Sequence, residues 1–263
     1  MQQGTPTQLA LITGASSGIG QALAARYYAA GYRLALIARR TSETKSWATQ
    51  HGMDTDRFQV YSGDVAIVDS IVAACHACLE QQGLPDVVVA NAGISLGVDT
   101  AVHTDLEVMS RVFATNNIGM AATFHPFVQG MRDRGSGTLV GIGSVAGIRG
   151  LPGHGAYCAS KAAVIAYCES LRGELRGAGV KVVTICPGYI DTPLTSKNRY
   201  SMPFLMQPEA FAVQAFAAIE AGVSYRVIPW QMGLVAKVLR LLPNSLFDRF
   251  FAGRPRKHRQ AAE

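Results

Sequence analysis

The sequence predicts an α/β fold, and three observations carry the prediction. Short apolar runs of strand length alternate with helical stretches along most of the chain, as successive β–α units require. A glycine-rich turn joins the first of these strands to the first helix. The chain has 263 residues, 49% of them apolar and 16% charged, enough to bury the core of one large α/β domain or two small ones.

The elements follow in order. Residues 8–13 read as a short buried strand that runs into Gly14-Ala15-Ser16-Ser17-Gly18-Ile19-Gly20, and residues 21–30 are helical in composition. Such a turn lets backbone N–H groups approach a phosphate closely, and the helix N-terminus adds partial positive charge. The spacing is Thr-Gly-x-x-x-Gly-x-Gly; taken alone, it also suits an ordinary β–α turn. A second strand, 33–38, ends at Arg39-Arg40, with no acid before Glu43. In a dinucleotide fold an acid there grips the 2′-hydroxyl of NAD, whereas a base accommodates the 2′-phosphate of NADP. Arginine's planar fork suits phosphate. With the glycine loop behind it, the pair is read as selecting NADP(H); solvated arginines at a strand end are the other reading.

Residues 58–61 form a third strand, followed by Gly63-Asp64-Val65. Asp64 suits an adenine amino group, or equally the cap of a helix that starts near Val68. That helix holds Cys75-His76-Ala77-Cys78. No second pair completes a zinc site, so both thiols are placed on its core side and no metal is expected. Strand 86–90, nearly all valine, ends at Asn91-Ala92-Gly93. Residues 106–131 read as one long helix with Asn116-Asn117-Ile118-Gly119 in its middle. Asparagine forms helix poorly, and glycine weakens it by about 1 kcal/mol against alanine. A local defect there can expose a backbone carbonyl to water. Residues 137–144 are the fifth strand, and a glycine-rich loop over 145–156 leads to the next helix.

That helix, residues 156–171, carries Tyr157-Cys158-Ala159-Ser160-Lys161. Positions i and i+4 share a helix face, so the phenol and the ammonium point the same way. A phenol titrates near 10 and is a poor proton donor or acceptor at neutral pH. A fixed cation beside it favours the phenolate and draws its pKa down. Ser144, at the end of the fifth strand, can bond the same substrate oxygen that Tyr157 protonates. On its own, Tyr-x-x-x-Lys is also what a half-exposed tyrosine and a solvated lysine look like. Residues 180–185 form a sixth strand closed by Cys186-Pro187-Gly188, followed by Tyr189-Ile190-Asp191-Thr192-Pro193. The stretch from there to about Gln207, with Pro193, Pro203 and mixed apolar residues, reads as a mobile lid. Residues 208–221 are helical, and 225–228 make a last short strand.

Charge is uneven. Between Lys237 and Arg259 stand seven Lys or Arg against Asp248 alone, a net +6, while the rest balances at seventeen of each sign. Any attraction to anionic partners therefore belongs to the tail. Residues 233–242 are amphipathic, Pro243 breaks the pattern, and Phe247, Phe250 and Phe251 precede the basic run 254–259. This apolar face suits packing on the body or on a twin subunit, a cover for the substrate pocket, or peripheral contact with an anionic membrane. Specific nucleic-acid binding is not expected, since one short cluster without a stacking platform gives only non-specific affinity. The five cysteines are unevenly spaced, no secretory signal is evident and no run of eighteen apolar residues occurs. The chain thus reads as cytoplasmic, without disulfides or a membrane-spanning helix.

Taken together, these motifs resemble those of the short-chain dehydrogenase/reductase family, in its single-domain branch of about 250 residues. The resemblance runs from roughly Leu9 to Pro229, leaving 230–263 as an extension to a domain of 1–229. Thr13-Gly14-x-x-x-Gly18-Ile19-Gly20 matches the cofactor motif and Asp64 the adenine-side Asp. Asn91-Ala92-Gly93 matches the motif that steadies the sheet, and Pro187-Gly188 with Thr192 matches the segment over the nicotinamide. Asn116, Ser144, Tyr157 and Lys161 match the catalytic tetrad, Asn116 being chosen over Asn117 by the Asn-x-x-Gly pattern. The resemblance implies a doubly wound, mostly parallel sheet of about seven strands between helices, with the cofactor across the strand C-termini. It implies contacts from Gly14, Ser16, Ser17, Gly18, Ile19, Gly20, Arg39, Arg40, Asp64, Val65, Asn91, Ala92, Gly93, Tyr157, Lys161, Pro187, Gly188, Ile190 and Thr192. Tyr157 would donate the proton, Ser144 bond the same oxygen, Lys161 bind the ribose and lower the Tyr157 pKa, and Asn116 hold a relay water. The family's habit is a homodimer or homotetramer through the Asn116 and Tyr157 helices. Two functions follow: an NADPH-dependent reductase of a small-molecule ketone or other carbonyl, lipid- or steroid-sized on the hint of the tail, or a non-catalytic NADP-binding protein acting through that tail. The intact tetrad favours the first.

Overall fold

The structure, a computed structural model, describes residues 7–196, 198, 201–253 and 259. The basic positions Arg254, Arg256 and Lys257, and residues 197, 199 and 200 of the expected lid, lie outside the described residues.

Seven strands form one all-parallel sheet: β1 (Leu9–Thr13), β2 (Arg33–Ala38), β3 (Phe58–Ser62), β4 (Val87–Ala90), β5 (Gly137–Ile142), β6 (Val180–Pro187) and β7 (Tyr225–Ile228). Their order is β3-β2-β1-β4-β5-β6-β7. Leu11 stands opposite both Ala35 and Val88. Strand order reverses between β1 and β4, and a crevice opens there beyond the strand ends. Both sheet faces are covered, which is why the strands read as continuous apolar runs and not as alternation. Successive side chains still part to opposite faces. Ala10 and Ile12 join one core with Leu23 and Tyr27 of α1 (Gly18–Ala29) and Phe211 of α7 (Pro208–Glu220). Leu9 and Leu11 join the other, with Cys75 and Cys78 of α3 (Val68–Gln82), Phe124 and Phe127 of α5 (Gly119–Arg134) and Val164 of α6 (Gly155–Leu175).

Some boundaries differ from those the sequence predicts. Helix α1 starts at Gly18, inside the glycine turn. The polar stretch α2 (Thr41–Gln50) forms a helix that buries only Thr44 and Ala48, too narrow a face to show as periodicity. Strand β5 ends at Ile142, so Gly143 and Ser144 lie beyond the ladder. The long helix expected over 106–131 is α4 (Asp105–Phe113) joined to α5 through a π turn at Ala114–Ile118, where the Gly119 N–H reaches back to the Ala114 carbonyl. The glycine is required there, because a Cβ on Gly119 would run into the Val65 backbone.

The C-terminal segment packs on the body through α8 (Trp230–Leu241) and α9 (Asn244–Phe251). Met232 and Ala236 of α8 and Phe247 of α9 are buried. Arg149, in the loop before α6, donates to the carbonyls of Leu239, Arg240 and Leu242 at 2.9–3.0 Å, and its guanidinium lies 4.2 Å from the Phe247 ring centre. It satisfies carbonyls that a helix C-terminus leaves orphaned, with the charge sign the helix dipole favours. Further on, Arg259 grips the buried Asp105 carboxylate with two bonds, 2.6 and 3.1 Å.

Candidate active site

A cleft of about 650 Å³ opens at the reversal point, within the usual range for small-molecule sites. Its floor is backbone. Gly14 and Gly18 take φ of +69° and +55°, which a Cβ would strain. Asn91 ties the end of β4 to this turn: its Nδ2 donates to the Thr13 carbonyl at 3.0 Å, and its own N–H and that of Ala92 donate to the Thr13 hydroxyl at 3.1 Å. Of the residues expected to hold a cofactor, Gly14, Ser16, Ser17, Gly18, Ile19, Arg39, Arg40, Asp64, Val65, Asn91, Ala92, Gly93, Tyr157, Lys161, Pro187, Gly188, Ile190 and Thr192 all line the cleft. Gly20 does not. It stands behind the loop, where a Cβ would collide with the Gly14 carbonyl, so its role is close packing of α1.

At one end of the cleft, past β2, the Arg40 guanidinium is 3.4 Å from the Ser16 hydroxyl and pairs with Glu43 at 2.9 Å. Arg39 faces Asp64 at 3.7 Å. Asp64 also accepts from the Ala66 N–H at 3.0 Å. It therefore turns the chain toward α3 while offering its second oxygen to the rim.

At the other end stand Ser144, Tyr157 and Lys161. Lys161 is buried, and its ammonium donates to the Ile142 carbonyl at 2.7 Å. Burial disfavours its charged form and lowers its pKa to about 8. Tyr157 does not behave as the sequence suggests. Burial pushes its phenol up to about 12, and the Ser144 hydrogen bond works against that rise; the Lys161 Nζ lies 5.9 Å from the ring centre. The phenol is therefore protonated at neutral pH, and a weaker acid than a free tyrosine. The Ser144 hydroxyl also accepts from the Ala146 N–H at 3.1 Å, which fixes its position beyond β5.

Asn116 is buried behind this end and does not line the cleft. Its amide clamps Ile94 on both backbone groups, accepting at 2.8 Å and donating at 3.0 Å, and donates to the Ser160 hydroxyl at 2.9 Å. Asn117 donates to the Ser160 carbonyl at 2.8 Å. The π turn thus aims both asparagines at the residue between Tyr157 and Lys161, and Ser160 in turn donates to the Tyr157 carbonyl at 2.8 Å. Sequence reasoning gave Ser160 no role, since nothing in the spacing marks it. It equally missed Arg111 and Thr115, one turn apart on the cleft wall, while Leu194 and Thr195, which also line the cleft, belong to the stretch read as a lid.

A recess of about 70 Å³ adjoins Ser144 and Tyr157 and is lined also by Ser95, Leu151, His154, Tyr189 and Asn198. The 190–206 loop beside it is closed at its base, where the Asp191 N–H donates to Met206 and the Met206 N–H to Tyr189. Phe204, near its end, holds φ +57°, a strained value for a bulky residue.

Residues 8–202 match the family described as short chain dehydrogenase. An uncharacterized oxidoreductase of Myxococcus xanthus is 37% identical over 246 residues, covering 91% of this chain and 94% of that protein. The 2-(R)-hydroxypropyl-CoM dehydrogenase of Xanthobacter autotrophicus is 35% identical over 192 residues, covering 72% and 77%. Among solved structures, a short-chain dehydrogenase from Streptomyces avermitilis superimposes with a TM-score of 0.77 at 26% identity, covering 88% of this chain and 92% of that one.

Proposed function

The chain belongs to the short-chain dehydrogenase/reductase family of oxidoreductases, and from that premise we propose that it is an NADPH-dependent reductase of a ketone. The observation that carries this reading is the meeting of Ser144, Tyr157 and Lys161 at one end of a single cleft with Arg39 and Arg40 at the other. The residues fit a nicotinamide dinucleotide: the glycine turn leaves no room for side chains between it and Asn91 and Thr192, and the α1 N-terminus suits a pyrophosphate. When bound, the nicotinamide supplies the hydride.

The chain's own residues do the rest. Arg39 and Arg40 would hold the 2′-phosphate, Asp64 and Val65 would serve the adenine end, and Pro187, Gly188, Ile190 and Thr192 would serve the nicotinamide end. Tyr157, kept protonated by burial, gives its proton to the carbonyl oxygen as it becomes an alkoxide. Ser144 bonds the same oxygen and stabilises its developing charge. Lys161 binds the ribose hydroxyls as a cation. The π turn at Asn116 opens the helix to a water through which Tyr157 regains its proton. The named relative from Xanthobacter, a dehydrogenase of a hydroxypropyl compound, supports chemistry at a CH–OH carbon. A cytosolic setting, where the NADPH pool is reduced, favours ketone reduction. The half-exposed or exposed apolar residues Leu106, Met109, Ile118 and Tyr167 on the Asn116 and Tyr157 helices support assembly as a dimer or tetramer.

The test is NADPH oxidation against ketones graded by size, from small keto esters through long-chain 3-oxoacyl thioesters to steroids, with NADH as control. Turnover with NADPH well above NADH supports the reading. Tight NADPH binding without turnover of any ketone would overturn it in favour of a non-catalytic nucleotide-binding protein.

A further inference from the structure

We propose that the outward face of α8 and α9 docks the protein onto an anionic lipid surface. Helix α8 is two-sided. Met232 and Ala236 are buried on one side. On the other, Trp230, Leu234, Val238 and Leu241 are exposed at 67%, 54%, 57% and 83%. At 3.6 residues per turn these four fall in a sector of about 80°, opposite the buried pair. Helix α9 adds Leu246 and Phe250, exposed beside the buried Phe247. Single exposed apolar residues need no explanation, but a stripe running the length of a helix does.

Charge decides what covers the stripe. Lys237, Arg240 and Arg249 are exposed beside it against Asp248, and Arg254, Arg256 and Lys257 follow in the sequence, while Arg259 is already paired with Asp105. A second copy would bring two such segments of one sign together. An anionic headgroup layer complements them, while the apolar stripe, with Trp230 at its end, enters the boundary below. No helix among the described residues is long and apolar enough to cross a membrane, so the contact lies in the surface plane. It also bears on the reaction: Gly188 of the cleft wall leaves no room for a Cβ against Met232 on the inner side of α8. A docked α8 therefore sets the cleft about one helix diameter, roughly 10 Å, from the lipid. An apolar carbonyl compound dissolved in the bilayer is the substrate class such placement serves.

The experiment is co-sedimentation of the full chain with vesicles of phosphatidylcholine alone or with phosphatidylserine added, at low and high salt, without cofactor or substrate. Binding is expected only to the phosphatidylserine vesicles, with release at high salt and a blue shift of tryptophan emission that Trp230→Phe removes. Leu234→Glu with Val238→Glu should abolish sedimentation, and Lys237→Ser with Arg240→Ser should weaken it about thirtyfold. Unchanged NADPH binding by the same variants shows that the fold persists. Three results overturn the proposal: no sedimentation with phosphatidylserine, sedimentation indifferent to the paired glutamates, or glutamates that dissociate an oligomer while vesicles never bind. None of these touches the assignment of the reaction, which is read by turnover.

Discussion

Around Gly14 and Asn91 the cleft wall is main chain, held by Thr13 and one asparagine at 3.0–3.1 Å. Around Tyr189 and Asn198 it is a loop that supplies one side of the recess, with Leu194 and Thr195. The first wall lies where β1 and β4 end, so the ladder register fixes it. The second hangs between β6 and α7, closed at its base by the Asp191–Met206 and Met206–Tyr189 bonds. The contrast teaches a division of labour. A phosphate chain can be held by backbone, which any sequence with the right glycines supplies. A substrate must be chosen by side chains, and these sit where insertions and exchanges do not disturb the sheet. Ser144, just beyond β5, and Tyr157, on α6, stand between the two and line both the cleft and the recess.

Substitutions that separate the walls sharpen this contrast. The largest effect belongs to the shared group. Tyr157→Phe should lower kcat by about a thousandfold while NADPH affinity, followed by its fluorescence, stays nearly unchanged; undiminished turnover would end the assignment. On the backbone wall, Arg39→Asp with Arg40→Asp should raise the NADPH Kd by about ten- to a hundredfold, the loss of charge-assisted bonds, and leave NADH nearly unchanged. Equal losses for both cofactors would break the 2′-phosphate reading. Gly20→Ala tests packing behind that wall. Its Cβ must push apart α1 and the Gly14 carbonyl, an overpacking of about 1–3 kcal/mol by urea unfolding, with the cleft chemistry retained in the folded fraction.

The smaller effects are in pH. Lys161 is a cation below about 8 and loses its charge as pH rises through that value. Carbonyl reduction should therefore decline above about pH 8, well before the Tyr157 phenol titrates near 12. In Lys161→Arg, whose guanidinium stays charged, the decline should move upward; an unmoved decline would assign it elsewhere. Away from the cleft, Arg259 holds the Asp105 carboxyl below its usual range. Its contribution to stability is thus present above the ordinary carboxylate pKa and lost as pH falls through the lowered one. Arg259→Gln should flatten the acid limb of a thermal-unfolding profile, and an unchanged limb would show that the tail end adds nothing there.

How far each region is legible in the sequence follows from the kind of interaction that builds it. The glycine turn, the valine strand and the Asn-x-x-Gly defect are local patterns, and each appears where the pattern puts it. The charge of Lys161 seen from sequence promised a lowered tyrosine pKa. Burial, which sequence does not display, outweighs it. Helix α2 went unread because its buried face is two residues wide. Ser160, Arg149 and Arg259 acquire their partners across 44, 90 and 154 residues of chain, and no spacing rule reaches that far.

By itself the sequence determined the alternation of strand and helix, the glycine turn and the face shared by Tyr157 and Lys161. These rest on periodicity and on backbone conformations that only certain residues adopt. The tertiary structure alone decided that Gly20 packs and does not line, that Asn116 spends its amide on Ile94 and Ser160, that Tyr157 is held protonated, and that the tail lies half bound and half bare. Desolvation and long-range hydrogen bonds set those outcomes, and both exist only once distant segments have been brought together.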